Sequence, residues 1–233
     1  MKFAEKVTAE LDARHSEEKK TELPRFFKCG RGEYGEGDRF LGVVVPDVRA
    51  VARQNTTASL TEIGTLLESP WHEVRLCALL ILVLQSRKTV TKEVLDFYLS
   101  HTERINNWDL VDLTAPAIVG GYLLANPQER GLLYSLAESD SLWEQRIAVV
   151  STLTLIREGE PEDTYALATK LIDHPHDLMH KAVGWMLREA GKRDQRRLEL
   201  FLDEYATLMP RTMLRYSIEK FPEPLRKHYL LMK

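Results

Sequence analysis

The segment NNWDLVDLTAP, residues 106–116, sets an indole and a carboxylate four residues apart, at Trp108 and Asp112. On a helix that spacing places both on one face, with Asp109 close by. Asn106 or Asn107 is a good N-cap, and Asp109 then falls in the first turn, where the helix dipole favours an acid. Pro116 has no N–H to give the carbonyl of residue 112, so the helix bends there, at about 3 kcal/mol. Two roles for that bend compete: following the curvature of a helical array, or turning Trp108 and Asp112 into an open groove. The second role has a definite chemistry. A carboxylate facing a centre that develops positive charge, such as C1′ of a sugar as its glycosidic bond breaks, stabilises that charge. An indole face packs on the sugar or attracts the same cation. Trp185, four residues after Lys181 in KAVGWML, adds a second indole, and Arg146, from an element between the two, adds a cation. Together these residues would make an aromatic-walled cleft with one anion and one cation. Trp71 and Trp143 fall in first turns, near caps, and read as packing residues.

The elements that must hold such a cleft are helices. Phe3, Val7 and Leu11 form one amphipathic stripe. Ser59-Leu-Thr-Glu62 and Ser141-Leu-Trp-Glu144 both fit a capping box, and prolines 46, 70 and 175 stand where a first helical turn tolerates them. Only FLGVVV, residues 40–45, looks strand-like, and it is too short and solitary to build a sheet. The fold class is therefore all-α. An ionic residue just ahead of an apolar helical run recurs at Arg75, Asp112, Arg146, Lys181 and Arg215, with spacings of 37, 34, 35 and 34. A period near 35 is a helix pair plus turns, the unit of an α-solenoid of HEAT-like repeats. A single domain, 1–233, is expected, with N-terminal helices and a glycine-rich loop in 1–45 and helix pairs in 46–233. Equivalent positions of stacked repeats line one surface, so Arg75, Arg146, Lys181 and Arg215 would run as a cationic stripe along a concave face suited to a phosphate backbone, Asp112 being its acidic member. The competing reading is a salt-bridge ladder between repeats, with Asp112 bonded to Arg75 or Arg146 and no ligand.

Composition narrows the class. A chain of 233 residues, 44% apolar and 29% charged, can bury a substantial core and is not of disordered type. The net charge of −3 argues weakly against a polyanion partner, yet residues 177–233 carry 12 Lys and Arg against 8 Asp and Glu. The apolar run Leu76–Leu84 is half the length of a membrane span, and MKFAEKVTAELDAR lacks a signal-peptide pattern, so a cytoplasmic protein with no membrane association is expected. Cys29 and Cys77 make neither a disulfide framework nor a zinc spacing. His174-Pro-His176 has no third ligand at helical spacing, so no metal and no cofactor is expected. GRGEYGEG lacks the strand and the Lys-Ser/Thr pair of a phosphate loop, and reads as an exposed, hairpin-like turn in which Lys28, Arg31 and Arg39 could touch a nucleic-acid backbone.

Taken in order, LPRFFKCGRGEYGEGDRFLGVVVPDVR, PWHEVRLCALLIL, NNWDLVDLTAPAIVG, LWEQRIAVVSTL, MHKAVGWMLREAGKRD and MPRTMLRYSIEKFP cover nearly the whole chain. In them the chain resembles the AlkD-like DNA alkylation repair proteins. The resemblance implies a HEAT-like solenoid cradling duplex DNA, and a monofunctional glycosylase that removes N3- and N7-alkylated purines. Because such bases are already cationic, the reaction needs no cofactor. The family's enzyme works without turning the damaged nucleotide into a pocket, unlike most glycosylases. Carried over residue by residue, Trp108 and Trp185 are the walls, Asp112 the catalytic carboxylate and Arg146 a phosphate contact. Lys181, Arg215, Arg75 and Phe26 join them as DNA-binding candidates. Two features depart from the pattern: Phe26, in RFFK, stands where the family's enzyme has an aromatic hydroxyl, and the stretch 29–40 is longer than its counterpart. Some relatives keep the scaffold and bind DNA without excision. The expected partner is double-stranded DNA with alkylated bases, met by a monomer; a DNA-binding protein without catalysis and a protein-binding scaffold are the alternatives.

Overall fold

A computed structural model describes residues 2–232, and all their regular structure is helical apart from one isolated bridge between Arg39 and Trp71. The chain divides into two compact units, Met1–Ile118 and Val119–Lys233. The first unit holds α1 (Phe3–Asp12), α2 (Glu17–Phe26), α3 (Val45–Gln54), α4 (Leu60–Leu67), α5 (His72–Gln85), α6 (Lys92–Leu99) and α7 (Trp108–Asp112). The second holds α8 (Gly121–Ala125), α9 (Gly131–Ala137), α10 (Leu142–Arg157), α11 (Glu162–Lys170), α12 (Asp177–Arg193), α13 (Gln195–Tyr205), α14 (Arg211–Ser217) and α15 (Glu223–Leu231). The five recurring ionic positions fall on α5, α7, α10, α12 and α14, and the segments that follow the first four fall on α6, α9, α11 and α13. The helical-repeat fold read from the period is the fold observed.

In the first unit α5 is the central element, packed by α1, α3 and α4. That position explains the apolar run 76–84: Leu76 to Leu82 are buried without interruption, each large side chain contributing about 1.5–3 kcal/mol. No helix among the described residues is long and apolar enough to cross a membrane. Val7 and Leu11 of the α1 stripe are fully buried. The Ser59 capping box forms with both of its bonds. At α10, Ser141 Oγ accepts the Glu144 N–H at 3.4 Å, while the Glu144 carboxylate accepts the Ser139 hydroxyl at 2.5 Å. Pro46 lies in the first turn of α3, whereas Pro70 and Pro175 precede their helices.

With residues 40–44 irregular and Val45 opening α3, the strand-like stretch 40–45 forms no strand. Its backbone donors are taken instead by one carboxylate: Glu73 accepts the N–H groups of Leu41, Gly42 and Val43 at 2.9, 2.8 and 3.1 Å. Gly42 has φ +92, and a Cβ there would lie 2.4 Å from the Ser16 carbonyl oxygen, so only glycine fits. Around Pro116 the finding is sharper than the expected bend. Helix α7 stops at Asp112, and the chain resumes through a π-helical turn, Pro116–Gly120, because the missing N–H breaks the regular ladder.

In the second unit α12 packs against α10, α11, α13 and α14. Its approach to α14 runs over Gly184, where a Cβ would sit 2.5 Å from the Met213 carbonyl oxygen and 2.6 Å from Tyr216 Cβ. Both are fixed atoms, so Gly184→Ala is expected to destabilise the protein by about 1–3 kcal/mol through overpacking. Urea denaturation checks this as a lower midpoint at unchanged slope.

Candidate functional site

The end of α2, the loop after it and α7 meet over the start of α5. Between them lies a cavity of about 540 Å³ lined by Phe26, Phe27, Phe40, His72, Trp108 and Asp112, among others. Trp108 is half-buried. Its ring stacks on Phe27 at 5.3 Å between centroids, and Phe26 meets it edge-on at 5.7 Å. Phe26 is 62% exposed and forms the outer lip. Asn107 caps α7, its Oδ1 accepting the Trp108 N–H at 2.9 Å. Three residues singled out in the sequence, Phe26, Trp108 and Asp112, are thus brought to one aromatic recess that also carries a carboxylate.

Behind the recess lies a buried ionic cluster the sequence reading did not find. The His72 ring sits against Phe27 and Phe40, with centroids 4.9 and 4.7 Å away. Its Nδ1 donates to Asp38 Oδ2 and its Nε2 to Asp109 Oδ2, both at 2.9 Å. Burial by itself would strip the proton from His72, but the charge and hydrogen bond of Asp109, and then those of Asp38, outweigh it and push the pKa up to about 9. The imidazolium is the form present at neutral pH. Burial raises the Asp38 carboxyl, yet His72 and Arg75 together hold it below its ordinary value. Arg75 Nη2 donates to Asp38 Oδ1 at 2.5 Å and to Asn106 Oδ1 at 3.1 Å, and its Nη1 to the Ser69 carbonyl at 3.1 Å. Two cations and two carboxylates therefore neutralise one another inside the protein.

This corrects two members of the expected cationic stripe. Arg75 is 2% exposed and Arg146 4%. Arg146 Nη1 donates to the Leu178 carbonyl at 2.6 Å, and Arg75 to the Ser69 carbonyl just past the end of α4. The two contacts differ: Arg75 reaches back to a carbonyl just past the C-terminal end of α4, where carbonyls lack helical partners, whereas Arg146 reaches forward to the first turn of α12. Neither residue forms an exposed row, and of the two pairings open to Asp112 in a ladder, with Arg75 or with Arg146, the first gives way to Arg75–Asp38. Lys181 is half-exposed, paired with Asp177 at 2.7 Å; Trp185, one turn on, is half-buried; Arg215 is exposed on α14. The glycine-rich loop is also more than an exposed turn. Lys28, Arg31 and Arg39 face solvent, with the Arg39 guanidinium over the Trp71 ring at 4.8 Å, but the loop plunges Asp38 into the cluster. Of the missed residues, Asp38, His72, Asp109, Phe27 and Phe40, one had an available signal: His72 stands with Glu73 and Arg75 in the first turn of α5, whose later residues are apolar as far as Leu84.

A family model described as DNA alkylation repair enzyme matches residues 7–221. The fold is similar to a solved structure described as a predicted DNA alkylation repair enzyme from Enterococcus faecalis, with 16% identity and a TM-score of 0.75, over 90% of this chain and 98% of that one. It is also similar to the crystal structure of smu.31 from Streptococcus mutans UA159, with 16% identity and a TM-score of 0.56, over 95% of this chain and 100% of that one. Curated proteins give no match.

Proposed function

Because the chain belongs to the DNA alkylation repair enzyme family, we propose that it excises N3- and N7-alkylated purines from duplex DNA by hydrolysing the N-glycosidic bond. The observation that supports this most is the recess itself, where Trp108 and Asp112 line one cavity beside exposed Phe26. An alkylated purine carries its positive charge on the base. As the C1′–N bond breaks, the electron pair neutralises the base and the charge passes to the sugar. The Asp112 carboxylate stabilises that oxocarbenium-like sugar, and the indole of Trp108 offers it a π face. Water then adds to C1′ and gives up its proton, Asp112 being the nearest base in this scheme. The base leaves neutral, so the chemistry asks for no cofactor. Lys181, Arg215 and Trp185 of the second unit meet the DNA backbone, while Arg75 and Arg146 act from inside as packing residues.

The experiment is incubation with methylated duplex DNA, with heated and alkali-treated controls, followed by detection of free 3-methyladenine and 7-methylguanine. Release above the controls is expected. A second reading, DNA binding without excision, is favoured by the missing hydroxyl at Phe26 and by the inward Arg146; salt-sensitive binding with no released base would establish it. Both readings share one expectation. Lys181→Met and Arg215→Met should each flatten the slope of log K against log salt by roughly one unit, because each removes one phosphate contact. Titration of labelled duplex at several salt concentrations measures that slope, and an unchanged slope in both variants would place the DNA elsewhere.

A further inference from the structure

Helix α7 is five residues long, is followed by a break at Pro116, and yet carries both Trp108 and Asp112. So short a helix does not hold its own orientation. Beside the buried Leu110 and Val111, its polar anchors are side chains on either side of Trp108. Asn106 gives its Nδ2 to Asp38 Oδ1 at 3.3 Å and accepts from Arg75. Asp109 is tied by Oδ2 to His72, while its Oδ1 is buried with no hydrogen-bond partner, so His72 is what holds this carboxylate. Asp38 is the hub: one oxygen serves Arg75 and Asn106, the other serves His72. The same His72 ring backs Phe27, on which Trp108 stacks.

We propose that Asp38 and His72 are positioning residues for the hydrolysis proposed above: the glycine-rich loop, through Asp38, fixes Asn106 and, through His72, Asp109, so that Trp108 and Asp112 meet the substrate in one set orientation. The loop that lengthens residues 29–40 is then part of the site, not an ornament of the surface. The proposal rests on the reading of Trp108 and Asp112 as site residues.

The test uses the full chain carrying 5-fluorotryptophan, whose four indoles give separate fluorine resonances, Trp108 being assigned by its loss in Trp108→Phe. Asp38→Asn and His72→Gln roughly keep size but remove charge and the ability to serve partners on both sides. Each is expected to shift or broaden the Trp108 resonance and to lower kcat about 10- to 100-fold with KM little changed, the signature of misplaced catalytic groups. In the wild-type chain the same resonance should titrate as the His72 proton is lost near pH 9, and the titration should vanish in His72→Gln. The charged groups bonded to His72 are Asp38 of the loop and Asp109 of α7; Arg75 of α5 bonds Asp38, and Glu73 and Asp112 line the same cavity. The Cys29 thiol, close to Asp38 and Arg75 and pushed up to about 11 chiefly by burial, titrates well above His72. Should a variant fail to fold, the wild-type titration alone decides. A Trp108 resonance indifferent to both substitutions and to pH, or an unchanged kcat in folded variants, overturns the proposal. A wild-type chain that releases no base overturns the functional reading instead, and the resonance then still decides whether the cluster anchors α7.

Discussion

Asp112→Asn is expected to slow release of 3-methyladenine from methylated duplex by about 10²–10³-fold, the range seen when one group stabilising transition-state charge is removed. The substitution keeps the shape of the side chain and takes away only its charge. In the ground state the positive charge lies on the base; during bond breaking it moves to the sugar, and only there is the carboxylate's stabilisation gained. The loss should therefore appear in the single-turnover rate. Duplex affinity should stay level or tighten slightly, because an anion has been removed from a surface that meets phosphates. Single-turnover kinetics with a labelled lesion, beside binding isotherms, separate the two effects. An unchanged rate would take Asp112 out of the mechanism, whatever its place in the recess.

Arg75→Met should cost about 3–5 kcal/mol of folding stability, the range for breaking a buried ion pair by removing one partner. Asp38 would then share a dry site with Asp109 against the single charge of His72. Surface cations such as Arg215 carry no such penalty, so Arg215→Met should leave the denaturation midpoint in place while altering DNA binding. Equal midpoints for the two variants would contradict the burial of Arg75. The same cluster predicts a pH dependence. The His72 pKa rises from 6.5 to about 9 on folding, so its contribution is fully present below about 6.5 and is lost as the pH climbs through 9. The difference is on the order of 3 kcal/mol. Thermal unfolding followed from neutral to alkaline pH should show a falling Tm, flattened in His72→Gln.

How far the sequence reaches can be judged at these residues. Helix class and repeat period follow from spacings along the chain: apolar residues at helical intervals need a neighbour to bury them, and an interval near 35 says where the next helix pair begins. The pairing of Trp108 with Asp112 on one face, the Asn107 cap and the interruption at Pro116 are local too, because each depends on residues within a turn or two. Phe26 entered the reading through resemblance, and its contact with Trp108 across more than eighty positions is a tertiary fact.

Charge fared differently from hydrophobicity. A cation one turn into a helix has the same local pattern whether it faces solvent, as Arg215 does, or is buried against a carbonyl of the next helix pair, as Arg146 is. Which of these happens depends on how closely the neighbouring helix packs, and no spacing within one repeat encodes that distance. The Asp38–His72–Asp109 cluster is further still from the linear pattern. Its members come from a loop, a helix start and a helix first turn, 34 and 37 residues apart. Only folding removes them from water, and only in that dry setting does the partnership between them shift a histidine far enough to stay charged.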